Sequence, residues 1–239
     1  MKYALLFLAL CFLGCSNDLA VENTLAASIS DKEFVLDNVI ACAASNQNDD
    51  LVSVFLYPRE GASNLQYYEA NTGEIDKNDF TQYNQVEAPL LDVFNGFLKK
   101  FEVAIPEEKW VIVTFEEAGK VHVSNPIRIK NQSKPTEFIS SNVSVRTNTI
   151  NPIFNWEDGI YDDTKIYFQV LTDVSNDFIS GTYTFEKTFQ FYELDNVVLN
   201  ITPGTPETLQ SNETYGFTLL AVSEDNWVNL FSELDFSLD

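Results

Sequence analysis

Lys109-Trp-Val-Ile-Val-Thr-Phe115, Glu116-Glu-Ala-Gly119 and Lys120-Val-His-Val-Ser124 read as strand, turn and strand. β-branched and aromatic side chains fill both arms, and Gly119 can take the positive φ that a tight hairpin turn needs. The same grammar holds on either side. Leu51 to Tyr57 is a strand candidate stopped by Pro58, Leu65 to Ala70 one stopped by Asn71-Thr-Gly73, and Phe97 to Ile105 one stopped by Pro106. Pro89 to Phe94 is the one stretch that reads as a short helix. Beyond the polar turn formers Asn131-Gln-Ser-Lys-Pro135 a second series begins: Val143 to Val145, Ile153 to Trp156, Lys165 to Leu171, Thr182 to Phe185, Val197 to Ile201 and Thr214 to Val222. Strands recurring at roughly ten-residue spacing predict an all-β protein with two tandem β-sandwich domains, 33–132 and 133–239, rather than an α/β design. The stretches Trp110 to Ser124 and Tyr215 to Ser232 both read as long strand, polar turn and return strand, a weak internal repeat.

Composition bounds the function. With 239 residues, 45% hydrophobic and 21% charged, the chain has material for one or two packed cores. Acidic residues number 36 against 14 basic, a net charge of -22 and a pI near 4.1. Nucleic acid is excluded as a partner, because phosphate contacts need clustered Lys and Arg. From 133 to 239 only four basic side chains face 17 acidic ones. That acidity predicts that the distal domain projects away from an anionic membrane.

At the N-terminus, Lys2 precedes an apolar run from Tyr3 to Leu13 that ends at Gly14-Cys15. Such a run is short of the about 20 residues a membrane span needs and has the length of a signal-peptide h-region. Phe12-Leu13-Gly14-Cys15 resembles the lipobox of bacterial lipoproteins; Cys11, after the bulky Leu10, fits that pattern less well. The resemblance implies cleavage of 1–14 as a signal peptide and lipidation of Cys15. With Ser16 rather than Asp next, it also implies sorting to the outer membrane, facing the periplasm or the cell surface. Residues 15–32 are then expected to be a lipidated tether with a reach of roughly 20 to 25 Å. Cys42 would be left as a lone thiol in an oxidising compartment, and its surroundings Val39-Ile-Ala-Cys-Ala-Ala44 give it a buried, inert packing role.

The second domain carries a further resemblance. Phe154-Asn-Trp156 after Pro152, and Leu209 followed by Tyr215, Phe217, Leu219 and Ala221-Val222, resemble segments of fibronectin type III domains across roughly 135–239. Ser211 stands where that family usually has Pro. The resemblance implies an immunoglobulin- or fibronectin III-like sandwich with Trp156 in its core and Tyr215 in a tyrosine corner. It implies no activity, because the fold hosts many roles.

Templates for chemistry fail one after another. His122 is the single imidazole; it alternates with Val121 and Val123, so burial of the valines would put it on an exposed sandwich face, away from any activated serine. Cys42 and His122 cannot make a zinc site, and no phosphate-binding glycine loop occurs. Asp158, Asp162 and Asp163 could offer oxygens to calcium but lack EF-hand spacing and read as a solvated acidic turn, as do Glu74, Asp76, Asn78 and Asp79. Among the aromatics, Tyr67-Tyr68 puts one ring on each face of its strand, and Trp227 lies near the tip of the last hairpin. Trp227, Tyr161 and Asp162 are the candidate ligand-binding residues, since a ring flanked by Asp and Asn is a sugar-stacking arrangement; a rim Trp closing the core is the plainer reading. The expectation is a non-catalytic, lipid-anchored cell-envelope protein without cofactor, acting as a binding or assembly subunit with a protein or glycan partner. The alternative is a glycan-binding accessory lipoprotein of a saccharide-uptake system.

Overall fold

The computed structural model describes residues 23–238. The expected signal peptide, Cys15 and the first part of the expected tether lie outside the described residues. The first sandwich follows a short helix α1 (Leu25–Ile29) and comprises β1 (Phe34–Val39), β2 (Ala41–Ser45), β3 (Leu51–Leu56), β4 (Ser63–Ala70), β5 (Tyr83–Gln85), β6 (Leu90–Val93), β7 (Leu98–Ala104), β8 (Trp110–Glu117), β9 (Lys120–Ser124) and β10 (Ile127–Arg128). One sheet runs β1-β9-β8-β4-β5, with β10 also on β8, and the other β2-β3-β7-β6. Their inner faces meet in a core that includes Val52, Val54, Tyr67, Phe101, Val113 and Phe115. The β8–β9 turn shrinks to Ala118 and Gly119, at φ 50° and 78°, because Glu117 already pairs with Lys120. Two positive φ values in a two-residue loop match the twist of the flanking strands.

The second sandwich comprises β11 (Glu137–Phe138), β12 (Val143–Arg146), β13 (Ile153–Trp156), β14 (Thr164–Asp173), β15 (Phe178–Thr184), β16 (Thr188–Gln190), β17 (Val197–Asn200), β18 (Thr214–Ser223) and β19 (Val228–Ser237). A three-stranded sheet β12-β13-β16 packs on a six-stranded sheet β11-β19-β18-β14-β15-β17. Phe154 stacks on Phe217 at 4.0 Å, and Trp156 and Leu209 fill the same core. The Tyr215 hydroxyl accepts the Gln210 backbone N–H at 2.8 Å, which is the tyrosine corner. Both sandwiches open in the same way. β1 runs parallel to β9 before β2 crosses to β3; β11 runs parallel to β19 before β12 crosses to β13. Each also closes on a β-hairpin, β8–β9 and β18–β19.

Two local expectations are corrected. Pro89 to Phe94 is not helical: Leu90 to Val93 pair with Leu98 to Phe101 across a turn in which Phe94, Asn95 and Gly96 all have positive φ. Asn-Gly is a strong hairpin signal, and a segment of about six residues has too few internal hydrogen bonds to hold a helix against it. Residues 23–32, expected to belong to a tether, do not. From Asn23 the chain is structured, and α1 lays Leu25 and Ile29 on Tyr68, Ala70, Tyr83, Ile112, Val121 and Val123, the outer face of the first sheet. Thr24 Oγ1 caps the helix by accepting the Ala27 N–H at 3.2 Å. Five residues make no stable helix alone, so burial of this apolar face is what holds it.

The two sandwiches share a boundary core. The β18–β19 tip reaches into the first sandwich: Ala43 N–H donates to the Asn226 carbonyl at 3.0 Å and Arg128 N–H to the Asp225 carbonyl at 2.9 Å. Trp227, fully buried, sits among Val39, Ala43 and the other core residues of the first sandwich although it belongs to the second. Thr136 and Ser45 exchange side-chain-to-backbone hydrogen bonds across the same seam.

Candidate functional site

The seam opens into a cleft, and register explains its walls. Across β2, β3, β7 and β6 the residues Cys42, Phe55, Lys100 and Leu91 stand in one row on the outward face of the first sandwich. Across β15, β14, β18 and β19 the row is Tyr183, Phe168, Leu220 and Phe231, with Thr218 and Glu233 in the next row. Where the sheets touch, Cys42, Ala44, Phe94 and Leu98 pack on Phe168, Val170, Tyr183, Leu220 and Val222. Where they diverge they leave a space of about 310 Å³, whose walls include Phe55, Tyr57, Phe168, Tyr183 and Phe231. Phe168 and Tyr183 stack at 4.3 Å, and Phe55 and Phe231 face each other across the opening at 6.4 Å.

Charge is confined to the mouth. Lys100 Nζ donates to Glu102 Oε1 at 2.7 Å and to Ser53 Oγ at 3.1 Å, and the Lys100 bond holds the Glu102 carboxyl below its usual range. Asp92 is paired with Lys99 at 2.5 Å. Glu233, whose side chain is exposed, has neither hydrogen bond nor ion pair among the described residues, and partial loss of solvent, reinforced by Asp235, pushes its carboxyl pKa up. Deeper in, burial pushes the Cys42 thiol up to about 12 and the Tyr183 phenol well above its ordinary value. Both therefore stay protonated at neutral pH, and the walls can bind an apolar group without attacking it.

The sequence-derived candidates fall elsewhere. Trp227 is not a surface platform: it is wholly enclosed, and its Nε1 donates to the Lys134 carbonyl at 2.7 Å. Tyr161 meets the same linker residue, with Lys134 Nζ 4.8 Å above its ring. Asp162 is on the surface, while its neighbour Asp163 takes Lys134 and Asn229. The structure thus joins Trp227 and Tyr161 through Lys134, but as a clamp on the interdomain linker with no room for a ligand on the indole. Nor is the acidic turn merely solvated. Asp158 accepts the Tyr167 hydroxyl at 2.7 Å and pairs with Lys187 at 2.7 Å, so two of its three carboxylates have protein donors. In the other acidic loop, Asp76 accepts the Asn78 N–H and Asp79 the Thr81 N–H, both as turn braces. No grouping of acidic, His and Cys side chains suited to a metal ion occurs among the described residues.

His122 is buried together with both valines, against the expectation that one face of its strand would be open. Val121 and Val123 lie under α1, whereas His122 turns inward, stacks on Phe115 at 5.2 Å and meets Asn38 Oδ1 at 2.7 Å and Arg59 at 3.1 Å. Tyr67 and Tyr68 are both buried for the same reason, one in the sandwich core and one under α1, where its hydroxyl meets Ser28 Oγ at 3.2 Å.

Sequence reasoning missed the cleft, yet a signal was there. Tyr167 to Thr172 and Phe217 to Ser223 are buried without interruption. In the sequence that signal is partial: Leu219-Leu-Ala-Val222 is the unbroken apolar run of a strand covered on both faces, whereas Gln169, Thr172, Thr218 and Ser223 interrupt the rest. Those runs mark the strands against which the first sandwich packs.

No family model matches the chain, and no curated protein does. Among solved structures it is similar to the FN1-FN3 domains of chicken CNTN1, with 14% identity over 87% of this chain and 68% of that one at a TM-score of 0.28. It is also similar to a two fibronectin type-III domain segment from chicken tenascin, with 11% identity over 84% of this chain and 98% of that one at a TM-score of 0.27.

Proposed function

We propose that the protein is a non-catalytic, lipid-anchored subunit of the cell envelope that binds or assembles with a partner. The observation that carries this reading is the interdomain cleft, an aromatic-walled space whose thiol and phenol are held protonated by burial. The lipobox-like Leu13-Gly14-Cys15 supports the anchor and the outer-membrane address. The glycan alternative drew on Trp227 and Tyr161, which the linker clamp occupies, so it has less support. The test is metabolic labelling with a fatty acid followed by membrane fractionation. Labelled, membrane-bound protein is expected, with Cys15→Ser unlabelled and soluble; a parent chain that is soluble and unlabelled overturns the anchor. A hydrolytic activity abolished by a single Asp or Glu substitution overturns the non-catalytic reading.

A further inference from the structure

Glu233 stands at a junction. It lines the interdomain cleft, the neighbouring polar groove beside Asn46 and Asp49, and the shallow groove along Thr172 and Asp235. At that junction the other charges of the cleft mouth are already paired: Lys100 with Glu102, and Asp92 with Lys99. Lys100 lines the same space as Glu233, but its ammonium is held by Glu102 and Ser53. What remains is an aromatic slot of about 310 Å³ lined by one exposed carboxylate, Glu233, that no protein cation among the described residues answers.

We propose that this cleft binds an organic cation with an apolar body, its stem between Phe55, Phe168, Tyr183 and Phe231 and its ammonium or guanidinium on Glu233. The volume lies at the small end of the range of about 300 to 1,000 Å³ typical of small-ligand sites. Aromatic walls favour a cation's stem by burial and attract its head through the ring faces. A neutral apolar molecule seated there would shield the Glu233 carboxylate from water without pairing it, and an apolar acid would be repelled by it. The chain's net charge of -22 raises the local concentration of cations and lowers that of anions. The chemistry is shared by a free amine and by a Lys or Arg side chain next to an apolar residue in a partner. The assignment rests on the binding-subunit reading and names what that subunit holds.

The experiment is calorimetric titration of the full-length protein with 2-phenylethylamine, 3-phenylpropanol, 3-phenylpropionate and the blocked dipeptide acetyl-Lys-Phe-amide. The amine is expected to bind at least about tenfold tighter than the alcohol, the increment of one charge-assisted hydrogen bond, and the acid not at all. Glu233→Gln should remove that tenfold preference while alcohol binding persists. Asp162→Asn, which deletes an exposed carboxylate outside the cleft, should leave it intact. Tighter binding of the dipeptide than of the free amine assigns the source to a partner's side chain; the reverse assigns it to a small amine. Equal binding of amine and alcohol, equal losses in the two variants, or no saturable binding of any probe overturns the proposal. Fatty-acid labelling of Cys15 is read separately, so a failed titration on a labelled protein removes the ligand assignment and leaves the anchored-subunit reading standing.

Discussion

Trp227 shows how a single side chain changes meaning between chain and fold. Read along the sequence, an indole at a hairpin tip flanked by Asp225 and Asn226 has the composition of a ligand platform. In space it is the plug between two sandwiches, wholly buried and hydrogen-bonded to the Lys134 carbonyl. Trp227→Ala should therefore cost about 3 to 5 kcal/mol, the range for emptying a buried large aromatic, measured by urea unfolding. Glu233 makes the opposite case, an exposed acid with no protein cation beside it among the described residues, whose charge is expected to weaken the fold slightly. Its folded pKa is raised by lost solvent first and by Asp235 second, so the ionised form is penalised above that pKa, and the penalty vanishes as pH falls below the unfolded value of about 4.3. Glu233→Gln should melt higher than the parent at neutral pH, and the gap should close towards about pH 4; a gap independent of pH would refute the charge as its cause. Cys42 was legible as a buried packing thiol because its neighbours are small and apolar, a local property.

At the scale of elements, the strands were legible wherever turn formers bracketed β-branched and aromatic runs. The tyrosine corner was legible too, because it spans only Gln210 to Tyr215. Tyr215→Phe should lose about 1 kcal/mol, read by thermal unfolding, since the Gln210 N–H would then lack its partner. The helix was not legible. Leu25-Ala-Ala-Ser-Ile29 has too few residues for a periodic signal, and it is helical because Leu25 and Ile29 find a vacant apolar sheet face. Leu25→Ala should cost about 2 to 5 kcal/mol and speed hydrogen exchange in β8 and β9, whose outer face α1 shields. Exchange unchanged in those strands would show that α1 is no part of the fold. His122 was misread for a related reason: alternation says which residues share a face, not whether a further layer covers that face.

At the scale of the molecule, the sandwiches behave as one body if the seam is as strong as its composition implies. Trp227, Phe168, Tyr183 and the backbone bonds from Ala43 and Arg128 tie them together. Interfaces between tandem domains are usually more polar, and such domains move. Calorimetry should accordingly show a single unfolding transition, and Phe168→Ala, which empties the boundary core between the sandwiches, should split it into two. Two transitions in the parent protein would refute the shared core.

The linear chain by itself determined the all-β class, the succession of strands, the acidic surface and the absence of catalytic templates. Each of those is set by composition or by patterns within about ten residues, where backbone preference and side-chain alternation act directly. Only the tertiary structure decided that Trp227 is core, that α1 covers a sheet, and that the outward faces of two sandwiches meet and then part to leave an aromatic cleft with Glu233 at its mouth. Those features depend on which apolar face buries against which, between residues as far apart in the chain as Cys42 and Leu220. Burial is non-directional, so the hydrophobic pattern states that a face must be covered and leaves the choice of cover to the packing of the whole chain.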